Sequence, residues 1–476
     1  MSPKKDNMKR EATLSRMRTS VYGWPRENLK DRNRMIVPKM AVTLIERLQR
    51  EGHRSFVVGG AIRDSIMNRP VLDWDIVTTA SPAEIASIFS DFKQFSLQHG
   101  TVTIVDSGRL YEVTTMRRDG DSEDNLVYDL EHRDFTINAM AYDIDRKLIY
   151  DPSGGRSDII EKRLRSVGDP AERFREDPLR LLRAVRIANE LGFTVERETM
   201  RIIREMSGQL KCVSNERIRN EFMKILLSNK PSKGFSLLKK SGLLSEFLPE
   251  LLEGLFKRQN THHRYTIYRH IMETIDLVKP DPILRLTALF HDIAKPRVRK
   301  RSKGQFRFFG HSEASASLAG DIMERLRFSR KLTDTVKKLI QLHMVNYDPA
   351  WSEGAIRRLI RRTGPADIDY LIAFRKADLS AHGYPKDKTH LIPQLEKRIR
   401  ELKERPLVLH RRDLAVRGRE VMDIMGVTQG PEVGKLLDML VEKVTEHPEL
   451  NTLESLTEIL KKANNSGGRV NGIRRR

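Results

Sequence analysis

Asp73-Trp74-Asp75 stands a short way after the glycine pair Gly59-Gly60, which itself follows the apolar run Phe56-Val57-Val58. On a strand, side chains separated by one residue share a face, so Asp73 and Asp75 can hold a pair of magnesium ions. Glycines just upstream let backbone N–H groups come close to a triphosphate. Paired carboxylates beside a phosphate cradle are the layout of a nucleotidyl-transfer site. Asp pairs and glycine pairs each recur widely on turns and solvated edges; the spacing behind a strand is what points to catalysis.

Elements that could position these groups follow from periodicity. Met40 to Leu48 reads as an amphipathic helix, and 55–60, 101–106, 110–116 and 138–150 carry β-type runs with turn residues between them. Ser81-Pro82 reads as a helix cap followed by a first-turn proline, opening a helix to Phe89. From about residue 170 strands are expected to vanish, and helical periods cover 177–192, 197–206, 214–228, 232–240, much of 260–380, and 410–463 with Gly426 and Gly430-Pro431 as breakers. Near Asp177-Pro178 a helix is expected to start, with Asp177 as its cap and Arg180, Arg183 and Arg186 in one stripe.

A chain of 476 residues should hold two or three domains. Lys and Arg total 87 against 65 Asp and Glu, a net charge of +22, which favours a polyanionic partner held with salt-sensitive affinity. Apolar residues at 39% suffice for real cores and suit an extended, helix-rich body. The single cysteine, Cys212, excludes an intramolecular disulfide and a multi-cysteine zinc site, and a reducing, cytoplasmic setting is expected. No apolar run reaches membrane-spanning length, and the basic N-terminus lacks the apolar stretch of a signal peptide.

The stretches FVVGGAIRD, DWDIVTTASP, HGTVTIV, YEVTTMR, HRDFTINAMAYD and EDPLRLLRAVRIANELGF lie in that order across residues 56–193. Together they resemble the head and neck of class II tRNA nucleotidyltransferases, the CCA-adding family that includes bacterial poly(A) polymerases. The resemblance implies an α+β fold: a small mixed-sheet head followed by an extended all-α body with an HD domain. The expected division is a basic, disordered arm (1–34), the head (35–150), a helical neck with a base-selecting helix (151–255), the HD domain (256–385), a helical tRNA-binding region (386–463) and a disordered basic tail (464–476). It implies Mg2+ at Asp73 and Asp75, with Glu112 a weaker third carboxylate, and phosphate contacts from Gly60 and Arg63. Arg133 falls where the family places an arginine on the nucleotide, with Asp134 orienting it or a sugar hydroxyl. The family usually has Arg-Arg-Asp there and this chain has His132 first, which puts only the outer contact in doubt.

Asp177 and Arg180 suit base selection without a template. Cytosine and adenine both pair an exocyclic amino donor with a ring-nitrogen acceptor, matched by a carboxylate that accepts and an arginine that donates. Uracil and guanine reverse that pattern and leave buried groups unpaired. By resemblance Arg183 and Arg186 add phosphate or sugar contacts. Between Arg117 and His132 the chain is short (RDGDSEDNLVYDLE), where CCA-adding relatives carry a longer loop. In the family, loss of that loop accompanies enzymes that add only two cytidines and leave the adenosine to a separate A-adding enzyme.

His270, His291-Asp292 and Asp378 follow the HD pattern, and His311 and His343 complete the two-metal version of it, so a second divalent metal is expected there. Either a metal-dependent phosphohydrolase or a scaffold could result. His262 and His263 carry no assigned role. The body and C-terminal region resemble the tRNA-gripping part of the family, with Arg357, Arg358, Arg361 and Arg362, and Arg297, Arg299 and Arg301, as candidate phosphate contacts. The expected partners are tRNA, CTP and ATP, with no membrane. The competing readings are a poly(A) polymerase, an HD phosphohydrolase with an RNA-binding head, and an RNA-binding protein with dead sites.

Overall fold

A computed structural model describes residues 35–71, 73–96, 100–118, 125–259, 264–302, 304–383, 390–405, 407–408 and 410–466. The expected N-terminal arm, the tail beyond Ser466, most of the short stretch before Asn125, and His262 and His263 lie outside them; residues 464–466, expected as the start of a disordered tail, instead end the helix Leu453–Ser466. The chain forms two compact units, Met1–Met206 and Ser207–Arg476. The first takes in the arginine-bearing helix, and the second begins inside the segment expected as one neck.

In the first unit a sheet is built from β1 (Ser55–Val58), β2 (Trp74–Thr78), β3 (Lys93–Ser96), β4 (Thr101–Asp106), β5 (Arg109–Thr115), β6 (Ala141–Asp143) and β7 (Leu148–Tyr150), in the order β3-β4-β5-β2-β1-β6-β7. It is mixed: β2 and β5 run parallel and the other neighbours antiparallel. All of β1 is buried, which explains its unbroken Phe-Val-Val run. The helix Lys39–Arg50 buries Ala41, Leu44, Ile45 and Leu48, the spacing of one helical face. Ser81 and Glu84 form a reciprocal capping box with Pro82 in the first turn, fixing the start of Pro82–Ile88 with a contribution of about 1 kcal/mol.

Within 138–150 only β6 and β7 are strands, because Thr136–Asn138 winds into a 3-10 turn first. Strands do not vanish after 170. Thr194–Val195 pairs in parallel with Arg163–Leu164, and Lys300–Ser302 pairs with Gln305–Arg307. Such short pairs cannot imprint a two-residue period on the sequence.

Apart from that hairpin, the named elements of the second unit are helices. Ser214, Thr266, Asp281, Ser329 and Ser352 each accept a backbone N–H at a helix start. Gly426 takes the left-handed conformation that ends Gly418–Met425, and Pro431 opens the next helix. One core gathers Leu339, Ile356, Ile360, Leu371, Leu395 and Ile399; another gathers Val416, Val421, Leu440, Val444, Leu456 and Leu460.

Candidate active site and metal centre

Trp74 is buried, so Asp73 and Asp75 emerge together on the opposite face, Asp73 exposed just before β2 and Asp75 half-buried within it. In register beside Asp75, on β5, lies the exposed Glu112. Gly59 joins β1 to the helix Gly60–Ile66 with φ of 75°. A side chain there would meet Asp75 Oδ2 at 2.9 Å and Arg133 Nη1 at 3.5 Å, so only glycine leaves the space open. Gly60 faces the Arg63 guanidinium.

Each cation near the carboxylates is held from behind. Arg63 Nη1 donates to Asn138 Oδ1 (2.6 Å) and its Nη2 to Asp64 (2.8 Å). Arg133 donates twice to Asp129 Oδ2 (3.2 and 3.1 Å). Arg183 Nε lies 3.1 Å from Asp134 Oδ2, and Asp134 Oδ1 accepts from the Phe135 N–H and from Asn138. Burial pushes the Asp75 carboxyl above its ordinary pKa and Asp73 adds to this, against the pull of Arg133, Arg183 and Arg63. Burial works against the Asp134 charge too, but Arg183 and the Asn138 and Phe135 hydrogen bonds hold it below the usual range. Asp73, Asp75, Gly60, Arg63, Arg133 and Arg183 therefore come together. Hard carboxylate oxygens on one exposed face, mutually repelling, fit Mg2+.

Asp177 and Arg180 sit differently from a solvated arginine stripe. The helix is Leu179–Leu191, and Asp177 Oδ1 accepts the Leu179 N–H (3.2 Å), a capping role one residue ahead of it. Arg180 is buried and donates to the Arg173 carbonyl (3.0 Å), Glu176 (2.8 Å) and the His132 carbonyl (3.4 Å). Arg186 pairs with Glu190 at 2.8 Å. Thus the three arginines are committed to three different acids. Sequence reasoning missed Asp129, Asn138 and Glu176. Asp129–Arg133 is an i,i+4 pair, but it lies where Asn125–Glu131 forms a helix inside a stretch read as loop. His132 keeps its ring against Tyr128, with centroids 3.9 Å apart, while its carbonyl receives Arg117 as well as Arg180.

In the second unit the expected histidines and aspartates do converge, fully buried. His270 Nε2 lies 3.2 Å from His291 Nε2 and 3.0 Å from Asp378 Oδ1, and His291 Nε2 lies 3.1 Å from Asp292 Oδ2. His311 and His343 approach within 3.3 Å of each other and 3.7 and 3.9 Å of Asp292 Oδ1. Each of these four rings turns Nδ1 to a backbone carbonyl, of Ala381, Ala288, Phe308 and Ile340 respectively. That aims every Nε2 inward, the orientation that metal-ligating histidines take. Asp292 Oδ1 accepts no hydrogen bond although buried. Converging lone pairs with a bare carboxylate oxygen fit divalent metal in two groups that share Asp292: one with His270 and His291, the other with His311 and His343. His382 joins His270 and Asp378; its Asp378-x-x-x-His382 spacing was a readable signal that sequence reasoning passed over. Lys295 Nζ, buried too, stands 2.6 Å from Asp292 Oδ2 and donates to Gln259 (3.0 Å).

Burial drives the His343 pKa down to about 3, aided by His291, and likewise lowers His311. Burial also disfavours His291 charging, yet Asp292 and Asp378 overcome it and raise its pKa. Below that raised value, metal must therefore compete with a proton at His291. Its affinity is expected to fall as pH drops below that raised value, with His291→Ala abolishing uptake; equilibrium dialysis against Mn2+ over a pH series checks both.

Of the candidate RNA contacts, Arg357, Arg358 and Arg361 pair with Glu353, Glu446 and Glu442, and Arg297 pairs with Glu253. Arg362 and Arg301 remain exposed. No helix among the described residues is long and apolar enough to cross a membrane.

Three family models match the chain: the poly A polymerase head domain at 55–165, the probable RNA- and SrmB-binding site of polymerase A at 192–255, and the HD domain at 265–381. A CCA-adding enzyme of Geobacillus sp. strain WCH70 is 31% identical over 422 residues, 86% of this chain and 93% of that relative. Another, of Anoxybacillus flavithermus, is 41% identical over 224 residues, which span 45% of this chain and 56% of its own length. Among solved structures, the Bacillus stearothermophilus CCA-adding enzyme in complex with CTP matches with a TM-score of 0.68 and 27% identity, over 90% of this chain and 98% of that one.

Proposed function

Because the chain belongs to the CCA-adding family of tRNA nucleotidyltransferases, we propose that it adds cytidine to tRNA 3′ ends from CTP by a two-metal mechanism, in a cytoplasmic setting. The observation that carries this is the convergence of Asp73 and Asp75 with three back-supported arginines beside Gly59-Gly60. Mg2+ bound by the two aspartates supplies activation of the attacking 3′-hydroxyl and neutralises charge on the triphosphate. The glycine turn admits the phosphates to backbone N–H groups, and Arg63, Arg133 and Arg183 meet their charge. Asn138, Asp129 and Asp134 hold those arginines in place, so little reorganisation accompanies binding. Asp177 and Arg180 read the base edge, and Arg186 contributes beside the sugar or phosphates. The HD cluster, holding metal through His270, His291, Asp292, Asp378, His311 and His343, suits hydrolysis of a phosphoester at an RNA end.

We assign CC-only addition. Asn125–Glu131 is a helix tied down at Asp129, which receives both the Arg117 N–H (3.3 Å) and Arg133. Little chain remains to act as a lever that remodels the pocket from CTP to ATP. A tRNA transcript lacking CCA is expected to gain two nucleotides with CTP alone and no third when ATP is added, the adenosine then falling to a separate enzyme. A full CCA product overturns the CC-only assignment. Long adenosine tails with ATP alone overturn the tRNA reading in favour of a poly(A) polymerase.

A further inference from the structure

The hairpin Lys300–Ser302/Gln305–Arg307 interrupts the HD helices between two segments of the buried cluster, Asp292–Lys295 on one side and His311 on the other. Its register sets Lys300 directly opposite Arg307, a like-charge pair that costs up to about 1 kcal/mol in a ladder that is marginal to begin with. Among the described residues no carboxylate pairs with Lys300, Arg301 or Arg307, and all three are exposed. Across the other face, Arg299 stacks on Phe306 with Cζ 3.4 Å from the ring centroid. Folding alone gives no reason to hold these cations together; a polyanion does.

Phe308, just past the hairpin, ties it to the cluster. Its carbonyl orients His311 by accepting from Nδ1 (2.8 Å), and its ring lies 5.6 Å from the buried Lys295 Nζ. The next residue, Phe309, is 73% exposed, and Met344, immediately after the ligand His343, is 58% exposed. An aromatic ring left in water two residues before a buried ligand has no packing role. Arg307 precedes His311 by four positions, so the hairpin's last cation lies within about 14 Å of that residue's backbone.

We propose that the hairpin and Phe309 form a single-stranded RNA platform beside the buried HD cluster, with the strand's phosphates on Lys300 and Arg307, which share one face of the hairpin, and a base stacked on Phe309. Cations that track a backbone beside an exposed aromatic face are how sequence-tolerant single-strand binding is built. The proposal rests on reading the buried cluster as a metal site that acts on an RNA end, and supplies the surface that would hold the single strand there.

Lys300→Glu is the decisive variant, because it sets opposite charges across the register and so keeps or firms the hairpin while reversing its charge. With a single-stranded RNA of about twelve nucleotides ending in 4-thiouridine, Lys300→Glu is expected to weaken binding several-fold and to reduce the salt slope by about 0.7 or more. Phe309→Ala is expected to weaken it by about tenfold. Photo-crosslinking of the full chain should place the terminal base on a peptide containing Phe309. Unchanged affinity and salt slope in both variants, or crosslinks confined to Met1–Met206, overturn the platform. Metal content of the same preparations separates the two readings. A metal-free wild type that still crosslinks at Phe309 overturns the reaction centre, while a metal-bearing protein without that crosslink overturns the platform alone.

Discussion

Asp75→Asn is expected to lower single-turnover CMP addition by about three orders of magnitude or more, with tRNA binding retained. Three decades correspond to about 4 kcal/mol of transition-state stabilisation, within what divalent metal contributes at a phosphoryl centre. Asparagine keeps the size and the register of β2 but halves the oxygen donors and removes the charge. Fold damage is not the cause, and the sign of the Asp75 shift shows why. A carboxyl whose folded pKa is raised by burial, and further by Asp73, holds its proton more tightly folded than unfolded. The stability it withholds therefore grows as pH rises through that range. A neutral amide escapes this, so the variant should melt no lower than the wild type at neutral pH. The same reasoning makes Asp73→Asn milder on stability, since Asp73 is exposed, but equally severe on addition. Rapid-quench incorporation of CMP, with thermal melts of both variants, is the measurement. CMP addition undiminished in both would remove Asp73 and Asp75 from the chemistry.

Asp73 and Asp75 were legible because the two-residue period of a strand acts directly on which face a side chain takes, and the buried Trp74 between them is the other half of that signal. Ser81, Pro82 and Glu84 were legible for a similar reason: a helix start is satisfied by residues within one turn of it. The converging histidines and aspartates of the HD domain were legible as types at a distance, although nothing local says that His270 and His291 meet. Their carbonyl-oriented rings come from local geometry, where Nδ1 reaches a carbonyl three residues back, within the helix end for His291 and His343 and across the turn that precedes the helix for His311. What stayed hidden depends on long-range packing. Asn138 reaches Arg63 and Gln259 reaches Lys295 from far along the chain. Arg180 was read as a base-selecting arginine with no sign that it would be buried, because burial of a guanidinium is set by Glu176 and by carbonyls from other segments. The arginines of Glu353–Thr363 looked available to RNA for the converse reason: their carboxylate partners Glu442 and Glu446 lie on Pro431–Glu446.

Arg180's commitments also decide how base selection is best tested. Arg180→Ala strands Glu176 and two carbonyls around a buried site, a cost of about 1–3 kcal/mol, so loss of activity in it confounds recognition with packing. Asp177→Asn avoids this. An asparagine oxygen can still accept the Leu179 N–H, and asparagine caps helices about as well as aspartate, so the entry to Leu179–Leu191 is preserved. The edge offered to the base changes in kind: a carboxylate only accepts, whereas the amide brings a donor. Cytosine presents an amino group there and loses its acceptor; uracil presents a carbonyl and gains a donor. The expected result is a fall of about a hundredfold in kcat/KM for CTP together with a relative rise for UTP, measured in competition on one tRNA transcript. The ratio is the informative quantity, since a merely structural Asp177 would slow both nucleotides alike. A CTP-to-UTP ratio equal to that of the wild type would take Asp177 out of base recognition and leave it a helix cap.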